Sequence, residues 1–220
     1  SLMSGLYPHA TGCTGNNIAL AEDIPTIAEM LPPEVSTAYH GKWHLGDEIF
    51  AQHGFREWIS IEDDYIRHYS EGHDRDARSD YHHYLRSEGF QPDHYKDGRV
   101  FSREFACRIP ERYSKPAFQA REASRFIRKH KHEPWVLYVS ILEPHMPFFS
   151  ARDDQYDPAT IPMPENFDHI PGADHHPRAR FNYAGHQAEG YEGHDLTTDG
   201  GWRDMAAKYR GLHSLVDTHV

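Results

Sequence analysis

The residues best suited to chemistry are Lys42 and His44, two apart in Gly41-Lys42-Trp43-His44-Leu45-Gly46. One side chain carries a fixed positive charge and the other titrates near neutrality, a pairing that suits holding an anion while a proton moves. The segment is bracketed by glycines, which let the backbone turn sharply, and it follows the strand-like run Val35 to His40. In open α/β sheets, ligand-contacting residues sit just past the carboxyl ends of strands. A bare G-K-x-H is more often a solvated turn with a packed Trp, so its company has to decide. A third candidate is His145 in Glu143-Pro144-His145-Met146-Pro147, which follows the apolar run Trp135 to Leu142. Prolines on both sides fix the backbone there, as holding one side chain in one direction requires. His9, in the turn Tyr7-Pro8-His9, is a candidate for the border of the same pocket.

With 19 histidines in 220 residues, some His stands near any motif by chance, so only position within a pattern selects among them. His82-His83 and Asp174-His175-His176 could bind a transition metal, yet neither shows H-E-x-x-H or another zinc spacing. Glu62-Asp63-Asp64 reads as a loop face, because adjacent carboxylates on a strand point to opposite sides. Cys13 and Cys107 form neither C-x-x-C nor a disulfide framework.

Composition narrows the partners. Lys and Arg number 23 against 34 Asp and Glu, a net charge of −11, and the pI is about 5.9. That balance argues against a nucleic-acid backbone as partner. Mean hydropathy is −0.81, and no run reaches the length of a membrane span. The chain opens without an apolar targeting segment, and its last helical pattern stops at Val220 without a cap, so it reads as an internal fragment.

The elements that must position these residues alternate. Ile24 to Leu31 is expected as a short helix led by Pro25 and stopped by Pro32-Pro33, and Ser1 to Gly5 as the end of another. Val35 to His40 is the first clear strand; Gly54 to Trp58 is a turn, and Ile59 to Ile66 a strand. Helices are expected over Asp76 to Glu88, ending at Gly89, and over Ala117 to Lys131 with Ala123, Phe126, Ile127 and His130 on one face. Trp135 to Leu142 suits a strand buried on both faces. Residues 144–201 read as a long surface loop, and Met205 to Val216 as a helix. The alternation argues for an α/β layered domain.

Three stretches together carry a family resemblance. Ser1-Leu2-Met3-Ser4-Gly5-Leu6-Tyr7-Pro8-His9 resembles the S-L-x-T-G-x-Y-P-H segment of the sulfatases. Gly41 to Gly46 is similar to their G-K-W-H-L-G motif, and Glu143 to Pro147 to their P-H-x-P motif. Ile27 to Leu31, Gly54-Phe55 and Tyr209 to Asp217 fit the same order, so the match covers nearly the whole chain. The resemblance implies an alkaline-phosphatase-like mixed sheet flanked by helices, with residues 1–220 forming part of one catalytic domain truncated at both ends.

It also implies roles. Lys42 would bind the sulfate and steady the nucleophile, and His44 would act as base near that nucleophile. His145 would touch the sulfate and protonate the leaving alcohol, while His9 would border the substrate. The family nucleophile is a formylglycine made from the cysteine of C-x-P-S-R (or its serine version), a context that neither Cys13 nor Cys107 provides. By the same resemblance its cation, usually Ca²⁺, is held by acidic residues expected outside this fragment, near the family's N-terminus and in a D-H-G-type strand end after the last helix, so no metal ligand is named here and the fragment alone is expected to be inactive. The implied substrate is a sulfated small molecule or carbohydrate, chosen by the loops after His145; a periplasmic or secreted location is implied by resemblance only. Two alternatives stay open: a phosphodiesterase or phosphonate monoester hydrolase of the same superfamily, and a non-catalytic, His-rich binding protein. If the site is real, the nitrogens of Lys42, His44 and His145 should lie within about 8 Å of one another, each able to reach one tetrahedral anion at hydrogen-bond distance.

Overall fold

Strand β1, Ser36–Gly41, is the member around which the first part of the chain is assembled, and five of its six residues are buried. The computed structural model describes residues 2–220, and Ser1 lies outside the described residues. In chain order its elements are helix α1 (Pro8–Thr11), β1, strand β2 (Glu57–Ile59), helices α2 (Asp80–Ser87), α3 (Arg103–Arg108) and α4 (Lys115–His130), strand β3 (Trp135–Ser140), and helices α5 (Pro177–Glu189) and α6 (Asp199–His219). Four short 3₁₀ turns lie between them. The chain divides into two compact units, residues 1–106 with 112–142, and residues 107–111 with 143–220.

The first unit holds a three-stranded sheet ordered β2-β1-β3, with both pairings parallel. Its register runs from Ser36 opposite Trp135 to Gly41 opposite Ser140, so β1 and β3 reach their carboxyl ends at the same edge. Lys42 N–H extends the ladder to Ser140 O at 3.1 Å. Gly41 has φ 122°, and a Cβ there would lie 1.9 Å from Ser140 O and 2.6 Å from Gln119 Nε2. Only glycine fits, because the backbone takes a left-handed φ while touching both a neighbouring strand and α4.

Alternation along β1 sends side chains to two different cores. Tyr39 stacks on Tyr138 of β3 (centroids 5.3 Å apart) and on Trp58 of β2 (5.0 Å), in a cluster with Met3, Ala28, Trp43 and Phe55. On the other face His40, fully buried, meets Phe126 of α4 edge-on at 6.0 Å. Burial holds the His40 imidazole neutral by pushing its pKa down to about 4. Helix α4 starts where Ser114 caps it, its hydroxyl accepting from Ala117 N–H at 3.3 Å. Pro116 stands in the first turn, where its missing N–H costs nothing. The helix ends on Arg128, Lys129 and His130, the charge sign that suits a helix C-terminus. Ile127 lies off its buried face, at 41 % exposure.

Several expectations change. Ile24 to Leu31 forms turns rather than a helix: the six residues between Pro25 and Pro32 make fewer than two helical turns, too little to repay nucleation. Instead Thr26 is fully buried, its hydroxyl bonded to His53 O at 2.8 Å and its N–H to Glu29 Oε2 at 2.7 Å. Residues 2–5 are likewise a turn. The second strand stops at Ile59, and α2 begins only at Asp80, where Ser79 caps it. Strand β3 is partly exposed rather than buried on both faces, because it is an edge of the described sheet; Trp135 and Val139 are each 37 % exposed. Residues 144–201 contain the 13-residue helix α5 and a 3₁₀ turn at Pro158–Thr160.

In the second unit, α6 is capped by Thr198, which accepts from Gly201 N–H at 3.1 Å, and it buries Ala207, Gly211, Leu212 and Leu215. Gly211 admits Arg152 O, which would stand 2.5 Å from a Cβ. Arg152 grips Glu111 with two parallel hydrogen bonds of 2.7 Å and Ser214 O at 2.8 Å, the paired geometry that makes arginine–carboxylate contacts strong. No helix among the described residues is long and apolar enough to cross a membrane.

The close approach at the β1–β3 edge yields a prediction. Gly41→Ala should destabilise the fold by on the order of 3 kcal/mol or more, since backbone atoms rather than a flexible side chain occupy the space a Cβ needs. Urea unfolding would read it, and an unchanged midpoint would contradict the strand register.

Candidate functional site

The loop leaving β1 is fixed by a carboxylate that its own motif does not contain. Glu48, 1 % exposed, accepts Trp43 N–H through Oε1 at 2.8 Å and His44 N–H through Oε2 at 2.9 Å. His44 is thereby held at φ 59°, a left-handed conformation uncommon for a residue other than glycine. Between the two, Trp43 turns into the aromatic core, its Nε1–H bonded to Gln52 Oε1 at 2.9 Å. Tyr39 OH donates to Lys42 O at 2.6 Å, so the strand also holds the start of the loop. Burial raises the Glu48 carboxyl to about 7, against the two backbone donors that favour its charge.

Lys42 Nζ lies 3.3 Å from Glu62 Oε2 and 3.0 Å from Tyr65 OH. Glu62 also accepts from Arg103 (Nε to Oε1 2.9 Å, Nη2 to Oε2 2.6 Å) and from Lys115 Nζ at 2.8 Å. Burial alone would raise the Glu62 pKa; Lys115, Arg103 and Lys42 outweigh it and hold the carboxyl well below the usual carboxylate range. Three cations, drawn from three separate stretches of chain, surround this one carboxylate, with Asp64 a second, looser partner of Arg103 at 3.8 Å. Tyr65 joins this cluster to His44, whose ring lies 4.8 Å from the Tyr65 ring. Both line a small cavity of about 30 Å³ with Asn17, Ala19, Gly46, Glu48 and His68. That is space for about one water-sized group.

Lys42 and His44 are thus joined through Tyr65. His145 belongs to the second unit, five residues beyond the end of β3; it is exposed and bonded through Nδ1 to Met146 O at 2.8 Å. His9 is exposed and stacked on Tyr7 (centroids 5.7 Å apart), and it does not line the His44 cavity. His82 is tied to Asp63 Oδ2 at 2.9 Å; His175 Nδ1 lies 3.1 Å from Asp174 Oδ1 and accepts Gly172 N–H at 3.2 Å. No group of three or more His, Cys, Asp or Glu able to hold a metal occurs among the described residues, so they do not fit a bound Ca²⁺, which needs several oxygen ligands. The sequence missed Glu48, Tyr65, Arg103 and Lys115, and it read Glu62 as a loop face. No local spacing marks Tyr65, Arg103 and Lys115, whose partners lie far along the chain; Glu48 stands only four and five residues past the N–H groups it accepts, a local signal that went unread.

Comparison with known proteins agrees with this architecture. The sulfatase family model matches residues 1–217, and the chain belongs to that family. Among solved structures, a phosphonate monoester hydrolase from Silicibacter pomeroyi superposes with a TM-score of 0.70 at 21 % identity, over 100 % of this chain and 47 % of that one. A phosphonate monoester hydrolase from Agrobacterium radiobacter gives 0.61 at 19 % identity, over 99 % and 46 %. The fold is therefore alkaline-phosphatase-like, and the chain spans about half the length of these structures. No curated protein matches it.

Glu48 makes the loop sensitive to pH in a direction the geometry fixes. Its carboxyl releases its proton near 4.5 when unfolded and near 7 when folded. Its contribution to stability is therefore full below about pH 4.5 and is lost as pH rises towards 7. Glu48→Gln removes that loss. Between pH 4.5 and 7 the melting temperature of the variant should rise relative to wild type; parallel curves would show that Glu48 is not titrating in this window.

Proposed function

We propose that this member of the sulfatase family uses the Lys42–His44 loop to bind the sulfate of a sulfate monoester, carried by a sulfated carbohydrate or small molecule, and that the whole protein hydrolyses it. The observation that carries this reading is the cluster in which Lys42, held by Glu62 and Tyr65, adjoins the cavity lined by His44. Lysine has three N–H donors and two are engaged, which leaves one to meet an incoming oxyanion. Such a preorganised donor acts where charge develops as the S–O bond breaks. His44 is the group to take or return a proton beside Lys42. His145 is assigned to the leaving alcohol on the strength of the P-H-x-P motif alone.

Formylglycine attack on sulfur with a Ca²⁺ ion alongside is the chemistry that the family resemblance implies for the whole protein. The described residues offer no donor set for the cation, and the steps assigned here run through Lys42, His44 and His145 alone. Phosphonate and phosphate esters present a similar tetrahedral anion, so they are the comparison substrates. The whole protein should show a higher kcat/KM for an aryl sulfate than for the matched phosphonate or phosphate ester; the reverse order would overturn the substrate assignment.

Lys42→Ala should lower kcat/KM for the sulfate ester by about 10²-fold or more, the usual effect of removing one electrostatic donor. The fold should survive, because Arg103 and Lys115 still neutralise Glu62. Unchanged kinetics would demote Lys42 to a structural lysine.

A further inference from the structure

A second concentration of positive charge lies in the first unit, separate from the Lys42 loop. Arg67, Arg75, Arg78, Lys96 and Arg99 line one cavity of about 380 Å³, with Ile66 and the buried Val100 among its walls. Its volume falls in the range of small-ligand sites. For a chain with a net charge of −11, five basic side chains around one cavity call for a physical reason.

Their charges are little compensated. Lys96 is the exception, paired with Asp64 at 2.8 Å. Arg78 lies 3.8 Å from Asp76, whose carboxylate is 85 % exposed. Arg99 lies 3.9 Å from Asp97, whose carboxylate is 93 % exposed. Such loose surface pairs contribute little. Among the described residues, Arg67 and Arg75 have no carboxylate within ion-pair distance. Three of the four guanidinium groups are nevertheless oriented, because neutral backbone carbonyls hold them: Arg75 donates to Ile66 O at 3.0 Å, Arg78 to Arg99 O at 3.2 Å and Ala77 O at 2.9 Å, and Arg99 to Lys96 O at 3.2 Å. These bonds tie three loop segments together and leave the positive charge uncompensated. Lys96 and Asp97 both take left-handed backbone conformations, with φ 46 and φ 60 degrees. That is a local cost which the surrounding contacts must sustain. Preorganised guanidinium groups around a cavity recognise tetrahedral oxyanions.

The cavity also has a defined neighbour. Tyr65 and His68 line the His44 cavity, while Ile66 and Arg67 between them line the basic one, so the two cavities flank a single turn of chain. We propose that the Arg67–Arg99 cavity is a second anion-binding site, taking a sulfate or phosphate group distinct from any held by the Lys42–His44 loop. The group is either a free inorganic ion or a further charge on the substrate, and the two sources are separable.

The test uses the whole protein and the double variant Arg67→Gln/Arg99→Gln, at two exposed positions whose loss costs no core packing. Binding of inorganic sulfate and of pyrophosphate is measured by calorimetry at constant ionic strength, with melting temperature as a second reading. Wild type should bind saturably and gain melting temperature over an equal ionic strength of chloride. The variant should bind about tenfold or more weakly, as expected for losing charged hydrogen-bond donors, with an unchanged melting temperature in chloride. Because general salt exclusion stabilises both proteins, the wild-type excess is the signal. A loss of kcat/KM on a disulfated disaccharide, with a monosulfated one unaffected, would assign the group to the substrate; weakened ion binding with both activities intact would assign it to a free ion. Equal binding by variant and wild type, or no saturable binding by wild type, would overturn the proposal. Failure of wild type to hydrolyse any sulfate ester would instead strike the functional reading and leave the binding result standing.

Discussion

One buried carboxylate organises the candidate site. Glu62, with its side chain 2 % exposed, binds Lys42 from the loop after β1, Arg103 from α3 and Lys115 from the start of α4. Taking an unpaired carboxylate out of water is prohibitive, and so is leaving Lys115, 6 % exposed, without a counter-charge. Glu62 is tolerated because cations surround it, and Lys115 because Glu62 is there. The consequence is positional: Lys42 cannot swing freely into solvent, and its ammonium is kept beside Tyr65, whose ring borders the His44 cavity. Glu48 acts in parallel on the backbone, fixing the two N–H groups that set where His44 points.

The skeleton of this arrangement was legible in the sequence and its fastening was not. Val35 to His40 announces β1 by its apolar and β-branched content, and Trp135 to Leu142 announces β3; their parallel pairing then gives them a common carboxyl edge. Helix α4, expected from Ala117, begins two residues earlier, at Lys115, because Ser114 caps it. Gly89, with φ 91°, follows the end of α2, as a helix-terminating glycine should. Glu62-Asp63-Asp64, by contrast, looks like a solvated acidic face. In the structure Glu62 gathers cations up to 53 residues away, Asp63 bonds Ser79 N–H and His82, and Asp64 bonds Tyr95 and Lys96. Such partnerships are set by tertiary contact alone, and no local spacing encodes them. The misread helix at Ile24 to Leu31 has the same origin: its periodicity is helical, but Thr26 and Glu29 find better partners in a turn.

Net charge conceals a further division. The total is −11, yet Lys42, Arg103 and Lys115 surround one carboxylate, and Arg67, Arg75, Arg78, Lys96 and Arg99 line a cavity beside the turn that borders the His44 cavity. Local fields of this kind draw anions even to an acidic protein, because exposed charges more than about 10 Å away are screened by salt.

Glu62 is ionised and holds three cations in place. Equilibrium urea unfolding of wild type and Glu62→Gln at about pH 7 tests it most directly, because glutamine keeps the shape and removes the charge. Stranding buried cations should cost about 3–5 kcal/mol, read as a lower midpoint with the same slope. A change within about 0.5 kcal/mol, the range of an ordinary surface substitution, would mean that Lys42 is positioned by something other than Glu62.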